Sequence, residues 1–161
     1  MKVLVTAASR HGSTAEIART VARHLADAGH DVDYRRVEDV DEVTAFDAVV
    51  LGSAIYAGRW LKSGYDFVER LGPELAAREV WLFSSGPLGD PPMPSEDVDI
   101  SSVMVTTAAR GHTVFPGCLD KHKLAYAERA VARALHAPVG DFRDWDAVAR
   151  WSRHIAAEMS S

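Results

Sequence analysis

The sequence predicts an α/β domain built on a mainly parallel, doubly wound sheet of five strands. Three observations carry this. Short apolar runs alternate with amphipathic helical segments along the chain. The runs at 48–51 and 80–83 are continuously apolar, as in strands covered on both faces. The connections are too long for hairpins, so successive strands lie parallel and cross over through helices.

The first strand is expected at Lys2 to Val5, followed by a small-residue loop, Thr6 to Thr14, that turns at once into a helix over Ala15 to Ala28. In that helix Ile17, Val21 and Leu25 recur every four residues and define the buried face, and Gly29 is the stop. Asp31 to Val37 reads as an edge strand, because Asp33, Arg35 and Arg36 interrupt it. Ala48 to Leu51 is the third strand and runs into a loop from Gly52 to Gly58. Trp60, Leu61, Tyr65, Val68, Leu71 and Leu75 mark the second helix, with Gly64 and Gly72 as weak points and Pro73 as a break or restart. Val80 to Phe83 is the fourth strand, ending in Ser84-Ser85-Gly86-Pro87.

The segment Gly86 to Asp99 holds four of the seven prolines and is expected as a long surface loop. A short helix over Ser101 to Ala109 and a fifth strand over His112 to Phe115 follow. Asp120 is a suitable N-cap for a helix to His136, and a last helix starting near Asp144 is expected to bury Trp145, Val148, Ile155 and Met159.

At 161 residues the chain reads as one domain, 1–161, with enough length for a core that needs no staple. Its net charge of −5 disfavours nucleic acid as a partner and limits membrane contact to the periphery. The single cysteine, Cys118, excludes an internal disulfide and a multi-thiolate metal site, and it reads as a structural thiol. The N-terminus is too poor in apolar residues for a secretory leader, so a reducing, cytoplasmic location is expected. His24, His30, His112, His122, His136 and His154 have no metal-ligand spacing and read as surface residues.

In doubly wound sheets ligands bind outside the carboxyl ends of the strands. The loops after the first, third and fourth strands are rich in Ser, Gly and Ala and should converge there. In the first of them a strand-to-helix junction aims backbone N–H groups and the positive end of the helix at one spot, which suits a phosphate. Ser9, Arg10, His11, Gly12, Ser13 and Thr14 supply hydroxyls, a flexible glycine and a base. A bland alternative stands beside this, since Ser13 with Glu16 also spells a capping box. Tyr56, flanked by small residues at a strand end, reads as a ligand platform. Trp81, Trp145 and Trp151 read as packing residues, and Trp60 could serve either role.

The segments VLVTAASRHGSTAEIA, VLGSAIYAGRW and FSSGPLG resemble a flavodoxin-type FMN site. Together with FPGCLDKHKL and GDFRDWDAVARW, the first two resemble more specifically the flavodoxin-domain proteins related to menaquinone-dependent protoporphyrinogen dehydrogenase. The resemblance implies a strand order of 2-1-3-4-5 and FMN as cofactor. It implies that Ser9, Arg10, His11, Gly12, Ser13 and Thr14 surround the phosphate. Ile55, Tyr56, Ala57 and Gly58 would border the isoalloxazine, and Ser85, Gly86 and Pro87 its pyrimidine end. The chain departs from the pattern in having no aromatic in Gly86 to Asp99 and in placing Pro116 where a glycine is expected.

The activity so implied is electron transfer between FMN and a small organic partner such as a quinone or porphyrinogen. The alternatives are a non-catalytic carrier serving a protein redox partner and a module that has kept the fold without the flavin. A phosphorylated receiver domain is excluded, because the first and third strands end in Ala7-Ala8-Ser9 and Leu51-Gly52-Ser53 where acids would be needed. A serine hydrolase is excluded by the lack of a GxSxG elbow at any strand end.

Overall fold

The computed structural model describes residues 1–10, 12–56, 58–86, 100–116, 118–119, 140–141 and 144–159. Its sheet comprises β1 (Lys2–Ala8), β2 (Asp31–Arg36), β3 (Ala48–Tyr56), β4 (Arg59–Trp60), β5 (Glu79–Gly86) and β6 (Gly111–Pro116). Five of these form a parallel path in the order β2-β1-β3-β5-β6, and the two-residue β4 pairs antiparallel with the end of β3. This is the expected doubly wound fold with the expected order. A separate two-stranded ribbon joins β7 (Cys118–Leu119) to β8 (Gly140–Asp141).

Each face of the sheet carries its own core. One gathers Val3, Val5 and Ala7 of β1 and Val50 of β3 with Ile17, Val21 and Leu25 of helix α1 (Ser13–Asp27). Val148 and Ile155 of helix α4 (Trp145–Glu158) join them. The other gathers Leu4, Val49, Leu51, Val80 and Leu82 with Phe67, Val68, Leu71 and Leu75 of helix α2 (Lys62–Ala76). Val103 of helix α3 (Ser101–Thr107) completes it. Strands buried on both faces explain the unbroken apolar runs. Each large aliphatic side chain so buried stabilises the fold by about 1.5–3 kcal/mol.

Three strands run further than expected. β1 continues through Thr6–Ala8, β3 through Gly52–Tyr56 and β5 through Ser84–Gly86. These small residues have weak strand preference, but parallel neighbours supply their hydrogen bonds, with Ala8 opposite Ser53 and Ala54 opposite Ser85. Gly52 is required where it stands, since a Cβ there would overlap the Phe83 ring. That ring packs with Phe115 and Trp151 at centroid separations of 5.9 and 6.0 Å.

Helix α2 kinks at Leu71 (φ −117°, ψ 15°), just before Gly72-Pro73, the restart foreseen from the proline. Gly72 also lets Thr106 approach, since a Cβ on Gly72 would stand only 2.8 Å from the threonine Cγ2. In α4, which starts where expected, the Asp144 carboxylate accepts the Ala147 N–H at 3.0 Å and caps the helix. Trp145, expected to be buried, is instead 39% exposed, because the stripe that faces the sheet runs through Val148, Ser152 and Ile155. The helix expected over Lys121 to His136 and the loop over 87–99 lie outside the described residues.

Candidate functional site

The chain leaves β1 towards β2 on one side and leaves β3 towards β5 on the other, so the sheet reverses its winding between β1 and β3. Ligand crevices of doubly wound sheets form at such a switch point. The carboxyl ends of these two strands carry the loop at Ser9 to Gly12 and the turn beyond Tyr56.

At the first of these, Gly12 occupies the N-cap of α1 at φ 90°, and its N–H donates to Ser9 Oγ at 3.2 Å. Ser13 is therefore the first helical residue and not the N-cap, so the alternative reading of Ser13 and Glu16 as a capping box does not hold. The ladder begins with the Glu16 N–H donating to the Gly12 carbonyl at 3.0 Å. The N–H groups of Ser13, Thr14 and Ala15 precede it, and the helix supplies no carbonyl for them. Among the described residues, a Cβ on Gly12 would meet nothing within 4 Å. Ser9 is part-buried, Arg10 is exposed, and Thr14 is 1% exposed beneath the junction. Thr6, at the start of the expected loop, is instead a fully buried strand residue.

At the second, β3 folds back into β4 through a tight turn, pairing Tyr56 with Arg59 and Ile55 with Trp60. Gly58 sits at φ 77°, a conformation that favours glycine in two-residue hairpins. Ile55 and Tyr56 are part-buried at the mouth. A Cβ on Gly86 would come within 3.2 Å of Ile55, so the ends of β3 and β5 touch there. Ser85 is 3% exposed and Gly86 is buried at the floor.

The two loops meet. The Arg10 guanidinium carbon lies 5.9 Å from the centroid of the Tyr56 ring. The structure thus brings Arg10 to Tyr56 and Ile55 to Gly86, with Ser9, Gly12 and Ser13 beside Arg10 in sequence. His11, Ala57 and Pro87 lie outside the described residues.

A polar cluster behind the turn escaped the sequence reading. The Trp60 indole N–H donates to Ser84 Oγ at 2.8 Å, and His112 Nε2 lies 2.7 Å from the same oxygen. His112, expected on the surface, is part-buried, and burial pushes its pKa below the ordinary imidazole value. The partners are 24 and 28 positions apart, beyond any local motif. Trp60 itself is 3% exposed and belongs to the core.

A doubly wound 2-1-3-4-5 sheet, with an open glycine-capped helix start facing an aromatic turn across the switch point, defines a flavodoxin-type nucleotide-binding domain. The chain matches the flavodoxin-domain family over residues 4–145, and it belongs to that family. Proteins of this family bind FMN. Among solved structures, the Streptococcus pneumoniae TIGR4 flavodoxin is similar with a TM-score of 0.65 at 21% identity, covering 99% of this chain and 100% of that one. Oxidised flavodoxin 1 from Bacillus cereus is similar at 0.68 and 13%, with the same coverage. Rubredoxin:oxygen oxidoreductase from Desulfovibrio gigas is similar at 0.56 and 16%, over 95% of this chain and 36% of that one. No curated protein matches.

The residues present fit FMN. The open N-terminal turn of α1 offers N–H donors to a phosphate, Arg10 adds a positive charge, and Tyr56 offers a ring at the mouth. Among the described residues no helix is long and apolar enough to cross a membrane.

Proposed function

We propose that this protein is an FMN-dependent oxidoreductase that passes electrons between the flavin and a small organic acceptor such as a quinone or porphyrinogen. The observation that carries the reading is the closure of Arg10 over Tyr56 across the switch point. It supports a crevice shared by the turn that would bind the phosphate and the turn that carries Tyr56. The segments that resemble the relatives of menaquinone-dependent protoporphyrinogen dehydrogenase support a small redox partner of that chemistry.

Bound FMN supplies the two-electron redox chemistry, and the chain supplies binding, orientation and local charge. Ser9, Arg10, Gly12, Ser13 and Thr14 would hold the phosphate through the α1 turn, with His11 beside them in sequence. Ile55, Tyr56 and Gly58 would border the ring and Ser85 and Gly86 its pyrimidine end, with Ala57 and Pro87 beside them in sequence. Tyr56, part-buried at the end of β3, would stack on the ring.

The second reading is a carrier that exchanges electrons only with protein partners. A net charge of −5 on 161 residues is mild for such a role, which favours the enzyme. Anaerobic reduction of the FMN-loaded protein followed by addition of a quinone separates the two. Catalytic reoxidation, with two electrons and two protons passing to the quinone, is the expected result. Reoxidation only by a protein partner favours the carrier. Tyr56→Ala should weaken FMN binding or shift its potential, and an unchanged flavin would remove Tyr56 from the site.

A further inference from the structure

Three hydrogen bonds to side-chain oxygens fasten the strand and residue that follow the Tyr56 turn, two to the sheet behind it and one to helix α2. Ser84 Oγ of β5 accepts the Trp60 indole N–H at 2.8 Å. Tyr65 OH accepts the Trp60 backbone N–H at 3.1 Å, and Ser53 Oγ accepts the Leu61 N–H at 3.1 Å. Gly64 leaves room for this, since a Cβ there would lie 3.1 Å from the Trp60 ring and 3.3 Å from Ser53 Oγ. β4 is only two residues long, so these bonds reinforce a short ladder with the end of β3.

The bond to Ser84 depends on a further residue. An indole N–H can only donate, so Ser84 Oγ is the acceptor for Trp60. The serine keeps one proton to give, and His112 Nε2 at 2.7 Å takes it when the imidazole is neutral with its proton on Nδ1. In that arrangement all three groups are satisfied. Ser84 is fully buried, and a bond at either side of it is therefore costly to lose. The line Trp60–Ser84–His112 runs across the sheet from β4 through β5 to β6.

We propose that His112 is a positioning residue: by holding the Ser84 hydroxyl it fixes Trp60, and Trp60 fixes the turn at Ile55 to Gly58 that borders the ligand crevice. The role in flavin binding rests on the reading above, whereas the role in ordering the turn does not. His112 itself belongs to β6 and lies outside the residues assigned to the cofactor.

The test compares wild type, His112→Ala and His112→Gln by amide hydrogen exchange and by FMN titration. In His112→Ala, exchange at Trp60 and Leu61 should speed by about tenfold while the amides of β1 and α4 keep their rates, and FMN should bind about tenfold more weakly. A glutamine amide reaches Ser84 as the imidazole does, so His112→Gln should restore both. Unchanged exchange at Trp60 and Leu61 would overturn the proposal, as would an equal rise over the whole sheet or a glutamine that restores nothing. If wild type fails to bind FMN, the functional reading falls, and the exchange pattern still decides whether His112 orders the turn.

Discussion

The Arg10 guanidinium stands 5.9 Å from the centre of the Tyr56 ring, joining the first residues beyond β1 to the last residue of β3. An exposed cation–π contact of this kind is worth about 0.5–1 kcal/mol. Its importance lies in placement. It spans the switch point, so a ligand anchored at the α1 turn would meet Tyr56 beside the same guanidinium.

Arg10→Gln should therefore weaken FMN binding while leaving stability within about 0.5 kcal/mol, because the side chain is exposed. The loss expected for one exposed charge near a phosphate is about threefold to tenfold at low salt, shrinking as salt is raised. Flavin fluorescence titrations at two ionic strengths measure it. A loss independent of salt would mean that Arg10 acts through packing.

Gly12 tests the helix start. At φ 90° a β-branched residue is strained, and Gly12→Val should cost about 1–2 kcal/mol in urea denaturation even though its Cβ meets nothing within 4 Å among the described residues. That position is where the phosphate would sit, so FMN affinity should fall by more than the stability does. Equal losses would count against the phosphate grip. Gly12→Asn, which tolerates the left-handed region better, should recover part of the stability.

Thr6 is fully buried and its hydroxyl has no hydrogen-bond partner among the described residues. Valine has the same shape without the polar group. Thr6→Val should raise stability by about 1 kcal/mol, visible as a higher urea midpoint with an unchanged slope. A lower midpoint would show that the hydroxyl is satisfied in solution.

Burial holds the His112 imidazole below its ordinary pKa, so the folded protein binds fewer protons at this site than the unfolded chain. Stability from this group is present above the unfolded value near 6.5 and declines as pH falls from there towards the depressed folded value. Between about pH 7 and pH 5, wild type should lose more stability than His112→Gln. Parallel curves would show that His112 protonates as freely in the fold as in the unfolded chain.

The layout of the fold was legible because its strands are buried on both faces and its helices on one. Ala48 to Leu51 and Val80 to Phe83 suit strands covered on both faces, and the fourfold spacing of Ile17, Val21 and Leu25 marks a helix face. Strand ends were not legible. Thr6–Ala8, Gly52–Tyr56 and Ser84–Gly86 have the composition of loops, and only a neighbouring strand makes them extended. Within the site, Gly12 and Tyr56 stood out by their local setting, whereas His112 and Ser84 became neighbours only through the register that sets Leu82 against His112. Of the two readings of Ser13 and Glu16, the capping box fails because Gly12 and not Ser13 takes the cap.

The most direct test is a titration of the purified protein with FMN, followed by visible absorbance and flavin fluorescence, in wild type and Gly12→Val. Saturable binding of one FMN per chain, much weakened in Gly12→Val while that variant stays folded, is the predicted result. No binding by wild type with FMN in excess, or equal binding by both proteins, would contradict it.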